Sequence, residues 1–478
     1  MSENKDGSRN TTPLLISAST NKSSYNATEE HQKVPLVTDT EAATNSNENL
    51  KSGLFGACFN TSNSIIGAGI IGIPYAIGTS GIGLGSILLI LTGLINDYSL
   101  IILIKAGTLC NKSTYQEVVQ AAFGKPGYVV ITFVQFLYPY LAMVSYNIIV
   151  GDNLTKLAEW IGGHSITGTI LDSRQLYIAA ANIVIMVPIS LFRNVSRLEK
   201  FAAFSLSMII LFCAFLIYKL VIMVDTAVPH LPSDWEFAKP KFLQGVSIMA
   251  FAYLCHHNAF LIWDSLRIKT TSQWAKITHS SMSFVVVMMA IVGCCGYSTF
   301  RSEIQGNILE NFCNNDIMAN IARLMYTTNI MLTYPLECFV VREVIENVFF
   351  KSPQTLLRHV IETIIITGTT LAISLSTDCV SIVLEITGVV TAAPMIFLFP
   401  ALCYMKLRNE PILSKANVLP TVVVVLGVGV VCVGLYQVIE HLIAGVTCSH
   451  GAEMPYCIKT NTTFTDEVSY RYDLLMVS

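Results

Sequence analysis

The chain has 478 residues, of which 53% are hydrophobic and 13% are charged, and its formal net charge is -3 at pH 7. An average soluble domain has about 25% charged residues, so this composition excludes an ordinary soluble protein. No basic segment indicates nucleic-acid binding, and most of the 13 cysteines lie in apolar runs, where a thiol behaves as a small hydrophobe rather than as part of a disulfide framework.

The first 52 residues are polar and rich in Ser, Thr, Asn and Glu. Such a segment cannot bury enough apolar surface to offset its chain entropy, so residues 1–52 are predicted to form a disordered cytosolic tail. The segment also has no apolar stretch of the kind found in cleavable signal peptides.

From residue 53 onward, apolar runs of about 20 residues alternate with short polar gaps. A helix of that length crosses a hydrocarbon layer of about 30 Å, and no segment alternates with the two-residue period of barrel strands. The sequence therefore predicts an all-α polytopic membrane protein. Its eleven predicted transmembrane spans cover residues 54–79, 83–105, 127–150, 175–192, 199–224, 242–263, 276–299, 317–341, 359–377, 379–403 and 419–441.

Lys and Arg concentrate in every second gap between the spans. Positive residues favour the cytosolic side, so the N-terminus is predicted to be cytosolic and, after eleven spans, residues 442–478 to be extracellular or lumenal. Asn461 begins an N-x-[ST] sequon in that tail and is the predicted glycosylation site. Cys313, Cys448 and Cys457 fall on the same oxidising side, where two of them can form a disulfide, although the pairing stays open.

The first span contains Gly67, Gly69, Gly72 and Pro74 near its middle. Gly lowers helix propensity by about 1 kcal/mol and Pro lacks a backbone donor, so local unwinding costs little here. Unwound backbone at membrane depth is tolerated where it lines a cavity, and its free N–H and C=O groups can bind a carboxylate and a cation. The same small residues also suit close packing of two helices, and both interpretations stay open.

The sixth span carries three consecutive polar residues, His256, His257 and Asn258. Polar side chains within a span are costly and indicate function by default. Because neighbours on a helix point about 100° apart, at least one histidine is expected to face the protein interior. A structural histidine bonded to a neighbouring helix is an equally good interpretation, whereas a metal-binding pair is disfavoured because adjacent residues do not share a helix face.

In the eighth span, Asn329 and Thr333 are four residues apart and therefore share one helix face, and Pro335 and Glu337 follow them. Neutral oxygens on one face, together with a carbonyl group freed by Pro335, suit a monovalent cation. Asn and Thr also commonly form hydrogen bonds between helices. In the tenth span, Glu385 either titrates with coupled protons or lies at the membrane interface, and the interface is favoured.

The segment from Asn63 to Tyr75, Asn-Ser-Ile-Ile-Gly-Ala-Gly-Ile-Ile-Gly-Ile-Pro-Tyr, resembles the first-helix signature of the sodium-coupled neutral amino acid transporters. These form solute carrier family 38 in the amino acid/auxin permease superfamily. Further similar stretches are 136–139, 145–152, 250–258 and 333–339, so the resemblance extends from about residue 52 to 458. It implies a LeuT-like fold of two inverted five-helix repeats, at 53–224 and 242–403, with broken first and sixth helices and an extra helix at 419–441.

The resemblance also implies site residues. The family's sodium ligands on the first and eighth helices match Asn63 and Thr333, and the full set of candidate sodium ligands is Asn63, Ile66, Asn329 and Thr333. Substrate binding is expected at the two broken helices, from Gly67, Ala68, Gly69, Tyr253, His257 and Asn258. The His-His-Asn stretch replaces the His-Pro-Glu pattern common in the family, so proton coupling stays open, with His257 and Glu385 as its candidates.

The predicted function is secondary active transport of small neutral amino acids such as glutamine, coupled to sodium and, as an open question, to proton antiport. The alternative is an amino-acid sensor that transports little. An enzyme is disfavoured because no nucleophile or second carboxylate accompanies His257, and a channel is disfavoured because no filter segment is visible. No cofactor is expected beyond the transported sodium ion. The expected partners are the amino acid, the ion, protons and membrane lipids, with the oligomeric state and the choice between plasma and endolysosomal membrane open.

Overall fold

The structure is a computed structural model that describes residues 53–163, 168–193, 202–223, 231–350, 352, 354–377, 379–408, 410–411, 414–444 and 454–457. The N-terminal tail, Cys448 and Asn461 lie outside these ranges, and what the sequence predicts for them stays a prediction. Throughout the described residues, helices are the only regular secondary structure. This confirms the all-α prediction.

Fifteen α-helices occur in the described residues, and they are numbered here in chain order. Those before residue 230 are α1 (Leu54–Ile65), α2 (Ile73–Ser80), α3 (Ile82–Cys110), α4 (Tyr115–Gly162), α5 (Arg174–Ala181), α6 (Val187–Ser190) and α7 (Ala202–Met223). Those after it are α8 (Phe242–Tyr253), α9 (Ala259–Ser265), α10 (Thr271–Phe300), α11 (Ile317–Phe349), α12 (Leu356–Ser376), α13 (Val380–Thr387), α14 (Phe399–Arg408) and α15 (Val418–Ala444).

Eight helical segments in the described part of the chain are long and apolar enough to cross a membrane. A ninth is formed by α1 and α2 together, which are bent by 51° relative to each other. The segment Arg174–Ser190 is apolar but shorter, and α11 spans 33 residues but contains buried charged side chains such as Arg323 and Arg342. The multi-pass membrane fold is confirmed, whereas the count of eleven spans stays a prediction.

The long helix α4 contains one non-helical residue, Gly124, with φ 70° and ψ -159°. A positive φ is strained for residues with a Cβ atom but not for glycine. The chain therefore turns at Gly124, and Pro126 stands at the start of the apolar part of the helix, where its missing N–H group does little harm. This turn explains why the apolar run of the third predicted span begins only at residue 127.

The segment formed by α8 and α9 lies at the centre of the bundle, since 78% of its most apolar 18-residue stretch is buried in the protein. By contrast, only 28% of the most apolar 18-residue stretch around α15 is buried. This last helix packs against α8, α14 and residues 394–398 and leaves its other side to the apolar surroundings. It therefore lies at the edge of the bundle.

A disulfide between Cys313 and Cys457 ties the segment after α10 to the segment after α15. Beside it, the Tyr456 hydroxyl group donates a hydrogen bond of 2.6 Å to the backbone oxygen of Asn311, and burial raises the pKa of Tyr456, so this hydroxyl keeps its proton. Four predicted spans separate the two cysteines, and an even number returns the chain to the same side. Cys379, which the sequence analysis does not single out, is also disulfide-bonded.

Candidate functional site

The first span is interrupted directly after Ile65, the last residue of α1. Ile66 has φ -79° and ψ 92°, Gly67 has φ -119° and ψ -146°, and a 3-10 turn over Ala68–Gly72 leads into α2. Pro74 lies in the first turn of α2, where the missing N–H group costs nothing. The predicted break is therefore present, with Ile66 and Gly67 at its centre.

The interruption frees backbone groups that a continuous helix would bond internally. The Gly67 carbonyl oxygen accepts a hydrogen bond of 3.2 Å from the Tyr326 hydroxyl group of α11. An ideal Cβ atom built on Gly67 would lie 3.3 Å from the hydroxyl oxygen of Tyr146 on α4. Two tyrosines from other helices thus reach the break, and one of them satisfies an exposed carbonyl group.

The sixth span is interrupted after Tyr253, the last residue of α8. Leu254 has φ -68° and ψ 121°, and a 3-10 turn over His256–Asn258 leads into α9. The side-chain amide of Asn96 on α3 donates a hydrogen bond of 3.0 Å to the freed carbonyl oxygen of Tyr253. This confirms the sixth-span break that the resemblance implied, although residues 246–263 around the break contain neither Gly nor Pro.

The first of the two histidines, His256, is a structural residue. It is fully buried, and its Nε2 atom lies 2.9 Å from the hydroxyl oxygen of Ser99 on α3. Because that hydroxyl group donates its single hydrogen to the Ile396 carbonyl oxygen, the Nε2–H group of His256 must be the donor to Ser99. His256 therefore links the sixth span to its neighbours.

The second histidine, His257, has different surroundings. Its ring centroid lies 5.0 Å from that of Tyr138, and its Nε2 atom lies 2.9 Å from Nδ2 of Asn258. The same Nδ2 group of Asn258 donates a hydrogen bond of 2.9 Å to the hydroxyl oxygen of Ser64 on α1. Asn258 thus joins the two interrupted spans directly.

A cavity of about 390 Å³ lies between α1, α9 and α11, beside the two breaks. Its wall is formed by residues within 60–67, 257–265 and 329–343, together with Ser205 near the start of α7 and Tyr146 of α4. If each predicted span crosses the membrane once, these ends of α1, α7, α9 and α11 all lie on the side where α1 begins. On that condition, the cavity lies on the same side of the bundle as the start of α1.

Seven of the predicted site residues line this cavity and come from three separate parts of the chain. They are Asn63, Ile66, Gly67, His257, Asn258, Asn329 and Thr333. All four candidate sodium ligands are in this group, together with three of the six candidate substrate-binding residues.

The candidate cation ligands offer neutral oxygens. Thr333 Oγ1 donates to the backbone oxygens of Asn329 and Ile330, at 3.2 and 3.0 Å, and the Tyr146 hydroxyl group lies close to it. Among the described residues, neither the Asn63 nor the Asn329 side chain has a hydrogen-bond partner. Oxygen ligands of this kind suit hard cations.

The other three candidate substrate-binding residues, Ala68, Gly69 and Tyr253, are buried and do not line the cavity. An ideal Cβ atom on Gly69 would lie only 2.5 Å from the Cα atom of Ala252 on α8. Gly69 is thus a close-packing glycine, while Gly67 borders the cavity. Both interpretations of the glycine pattern hold, each for a different residue.

Glu385 is fully buried on α13 and does not line the cavity. Its Oε2 atom accepts a hydrogen bond of 2.9 Å from Nε2 of Gln244 on α8 and lies 3.1 Å from Nδ1 of His441 on α15. Glu385 therefore connects three helices inside the protein, and its depth relative to the membrane interface stays a prediction. Its role in proton coupling stays a prediction.

The structure adds two cavity groups that the sequence analysis does not select as site residues, Glu337 and Tyr146. Glu337 lies four residues after Thr333, and this helical spacing was a usable signal that both share a face with Asn329. Tyr146 had no local signal, because its position beside Gly67 depends on how α4 packs against the first span.

Comparison with known proteins agrees with this architecture. Residues 51–440 match the family described as "Transmembrane amino acid transporter protein". The chain belongs to this family. The matched region extends from the residues just before α1 to the last turns of α15, so the family relationship covers the whole described bundle.

Several members of the transmembrane amino acid transporter family are similar over most of their length. A Danio rerio protein named "Putative sodium-coupled neutral amino acid transporter 11" is 42% identical over 418 residues, which cover 87% of this chain and 92% of that protein. The Homo sapiens protein of the same name is 37% identical over 387 residues, covering 81% and 94%. "Vacuolar amino acid transporter 2" of Saccharomyces cerevisiae is 31% identical over 382 residues, covering 75% and 78%.

A solved structure, that of Mhp1, a transporter of the nucleobase-cation-symport-1 family, is similar to the chain with a TM-score of 0.50. The match covers 89% of this chain and 97% of Mhp1 at 10% sequence identity. At that identity the likeness concerns the fold alone, and it bears out the predicted LeuT-like fold class.

Proposed function

We propose that this member of the transmembrane amino acid transporter family carries neutral amino acids such as glutamine together with sodium by alternating access. The cavity between the two interrupted spans supports this most directly, because it holds candidate ligands for a zwitterion and for a cation in one space. The names of the Danio rerio and Homo sapiens relatives support the substrate class and the ion.

The first break suits the carboxylate group of an amino acid. Backbone N–H groups at the start of a helical segment carry partial positive charge, and the break leaves such groups next to Gly67. The second break contributes His257 and Asn258 from the opposite side of the cavity. A zwitterion between the two breaks therefore meets donors and acceptors from both repeats.

The cation is expected between α1 and α11. Asn63, Asn329 and Thr333 supply neutral oxygens, and Ile66 supplies the carbonyl oxygen at the end of α1. Binding there would stabilise one arrangement of the first span against α11, which couples ion occupancy to the shape of the adjoining cavity. Catalytic activity and the sensor alternative are not part of the proposal, because no observation on the described residues favours them.

Flux measurements on the purified protein in proteoliposomes test the proposal. Uptake of labelled glutamine and other neutral amino acids should depend on an imposed sodium gradient. Replacing Thr333 by Ala removes one cation ligand, so the sodium concentration for half-maximal flux should rise about 10-fold, with a smaller change in the maximal rate. Thr328→Ala is the matched control, since Thr328 is on the same helix and outside the cavity.

Flux that is independent of sodium in the unmutated protein would overturn the assignment of the ion. An internal acidic load that drives uptake without sodium would instead identify proton antiport, with His257 as the cavity residue to replace first. Binding of glutamine without any net flux would favour the sensor.

The orientation is proposed on the Lys and Arg distribution and on the even number of predicted spans between Cys313 and Cys457. It places the C-terminal tail outside or in a lumen and makes Asn461 the glycan site. A glycosidase-sensitive mass shift should disappear in Asn461→Gln. A shift that survives this change and disappears in Asn194→Gln would reverse the orientation. This orientation is compatible with both the plasma membrane and an endolysosomal membrane. Labelling of the protein at the surface of intact cells distinguishes the two locations.

A further inference from the structure

The cavity contains a carboxylate group whose charge the proposed function does not yet use. Glu337 lines the cavity from α11, one helical turn beyond Thr333. Its Oε2 atom is buried and has no hydrogen-bond partner. Glu343 also lines the cavity, but it lies further along α11 and is exposed.

Nothing in the described wall of the cavity compensates a negative charge at Glu337. None of the described lining residues is Lys or Arg. The groups near Glu337 from a neighbouring element are the hydroxyl groups of Tyr138 and Tyr146 on α4, and His257 lines the same cavity. An ionised group buried without a partner is costly, and in membrane proteins it usually marks the path of an ion or a substrate.

We propose that Glu337 is the anionic binding residue of the cavity and takes up a monovalent cationic group, either the sodium ion or the ammonium group of the amino acid. The inference rests on the proposed transport function and adds a charged ligand to its neutral set. A sodium ion held near Thr333 lies within one turn of this carboxylate. The ammonium group of an amino acid is only two bonds from its carboxylate carbon, and Gly67 of the first break and Glu337 line the same cavity.

Glu337→Gln tests the inference, because it keeps the side-chain shape and removes the charge. Two dissociation constants are measured on the purified full-length protein: that of labelled sodium without amino acid, and that of labelled glutamine at saturating sodium. If Glu337 binds sodium, the first constant rises about 10-fold or more. If it binds the ammonium group, the first constant is unchanged and the second rises by that factor.

The matched control is Glu343→Gln, which removes the same charge from an exposed position of the same helix and cavity. Both constants should stay within about two-fold of the unmutated protein, because water screens an exposed charge. Glu337→Asp, which keeps the charge and shortens the side chain, should give an intermediate weakening and also serves if the Gln variant does not fold.

The inference would be overturned if both dissociation constants are unchanged in a folded Glu337→Gln variant. If only Glu337→Asp folds, unchanged dissociation constants in that variant have the same meaning. Equal losses in Glu337→Gln and Glu343→Gln would overturn it too, since the effect would then be the general field of the cavity. Failure of the transport proposal gives a different result, because the unmutated protein would then show no glutamine flux. Its dissociation constant for sodium can still be compared with those of the Glu337 variants.

Discussion

The two interrupted spans reach the same kind of break by different means. In the first, glycines and a proline allow the backbone to leave the helix at Ile66 and Gly67 with little cost. In the sixth, ordinary helix-compatible residues leave the helix after Tyr253, and a buried side chain, Asn96, bonds the freed carbonyl oxygen. The first break is thus permitted by its own residues, while the second depends on partners from another helix.

This difference has a consequence for substitution. A break that local backbone freedom permits should be altered by adding side chains within it. A break that distant hydrogen bonds stabilise should instead be altered by removing those distant donors. Four sets of variants separate the two cases.

The largest effect is expected for Gly69→Val. Its Cβ atom would lie 2.5 Å from the Cα atom and 2.7 Å from the Cβ atom of Ala252, and backbone cannot move aside as a flexible side chain can. Overpacking typically costs 1–3 kcal/mol, and a backbone overlap costs more. The yield of monodisperse protein should fall about 10-fold or more. Gly429→Val is the control, because a Cβ atom there meets nothing within 4 Å.

The next effect is expected for Gly67→Leu, and it should concern transport rather than folding. An ideal Cβ atom at Gly67 meets only the Tyr146 hydroxyl group, at 3.3 Å, and the rest of the leucine would extend into the cavity. Glutamine flux per folded molecule should drop about 100-fold while the yield stays within about two-fold. Loss of folded protein comparable to that of Gly69→Val would show that Gly67 is also a packing residue.

A smaller effect is expected at the sixth break for Asn96→Ala, which leaves the Tyr253 carbonyl oxygen without its donor. A buried group left unsatisfied costs about 1–3 kcal/mol, so the free energy of unfolding should fall by that amount, read from the thermal midpoint or from denaturant titration. Asn96→Leu fills the volume without supplying a donor and should be equally destabilising. Recovery of stability in Asn96→Leu would mean that packing, not the hydrogen bond, holds this break.

The smallest effect is expected for the contact that joins the two breaks, between Asn258 Nδ2 and the Ser64 hydroxyl oxygen at 2.9 Å. A double-mutant cycle with Ser64→Ala and Asn258→Ala should give a coupling free energy of about 0.5–1.5 kcal/mol, the usual contribution of one hydrogen bond. Effects that add within about 0.3 kcal/mol would show that this hydrogen bond does not couple the two breaks energetically.

The membrane class, most span positions and the first break could be predicted from the sequence because they depend on local properties. Apolar run length sets where helices cross a membrane, and the backbone freedom of glycine marks where one can open. The spacing of Asn329 and Thr333 likewise placed both on one face of α11, and both line the cavity. Glu337 follows Thr333 at the same spacing of four residues, so its position at the cavity could also be predicted from the sequence.

Only the tertiary structure decided the features that depend on contacts between distant segments. Gly67 and Gly69 differ by two positions in the sequence, yet one borders a cavity and the other packs on Ala252. The residue that satisfies the sixth break, Asn96, is 157 positions from its acceptor. Local patterns show what a residue is able to do, but which partner it meets depends on how the helices pack, and helix packing sums many small contacts that no single segment contains.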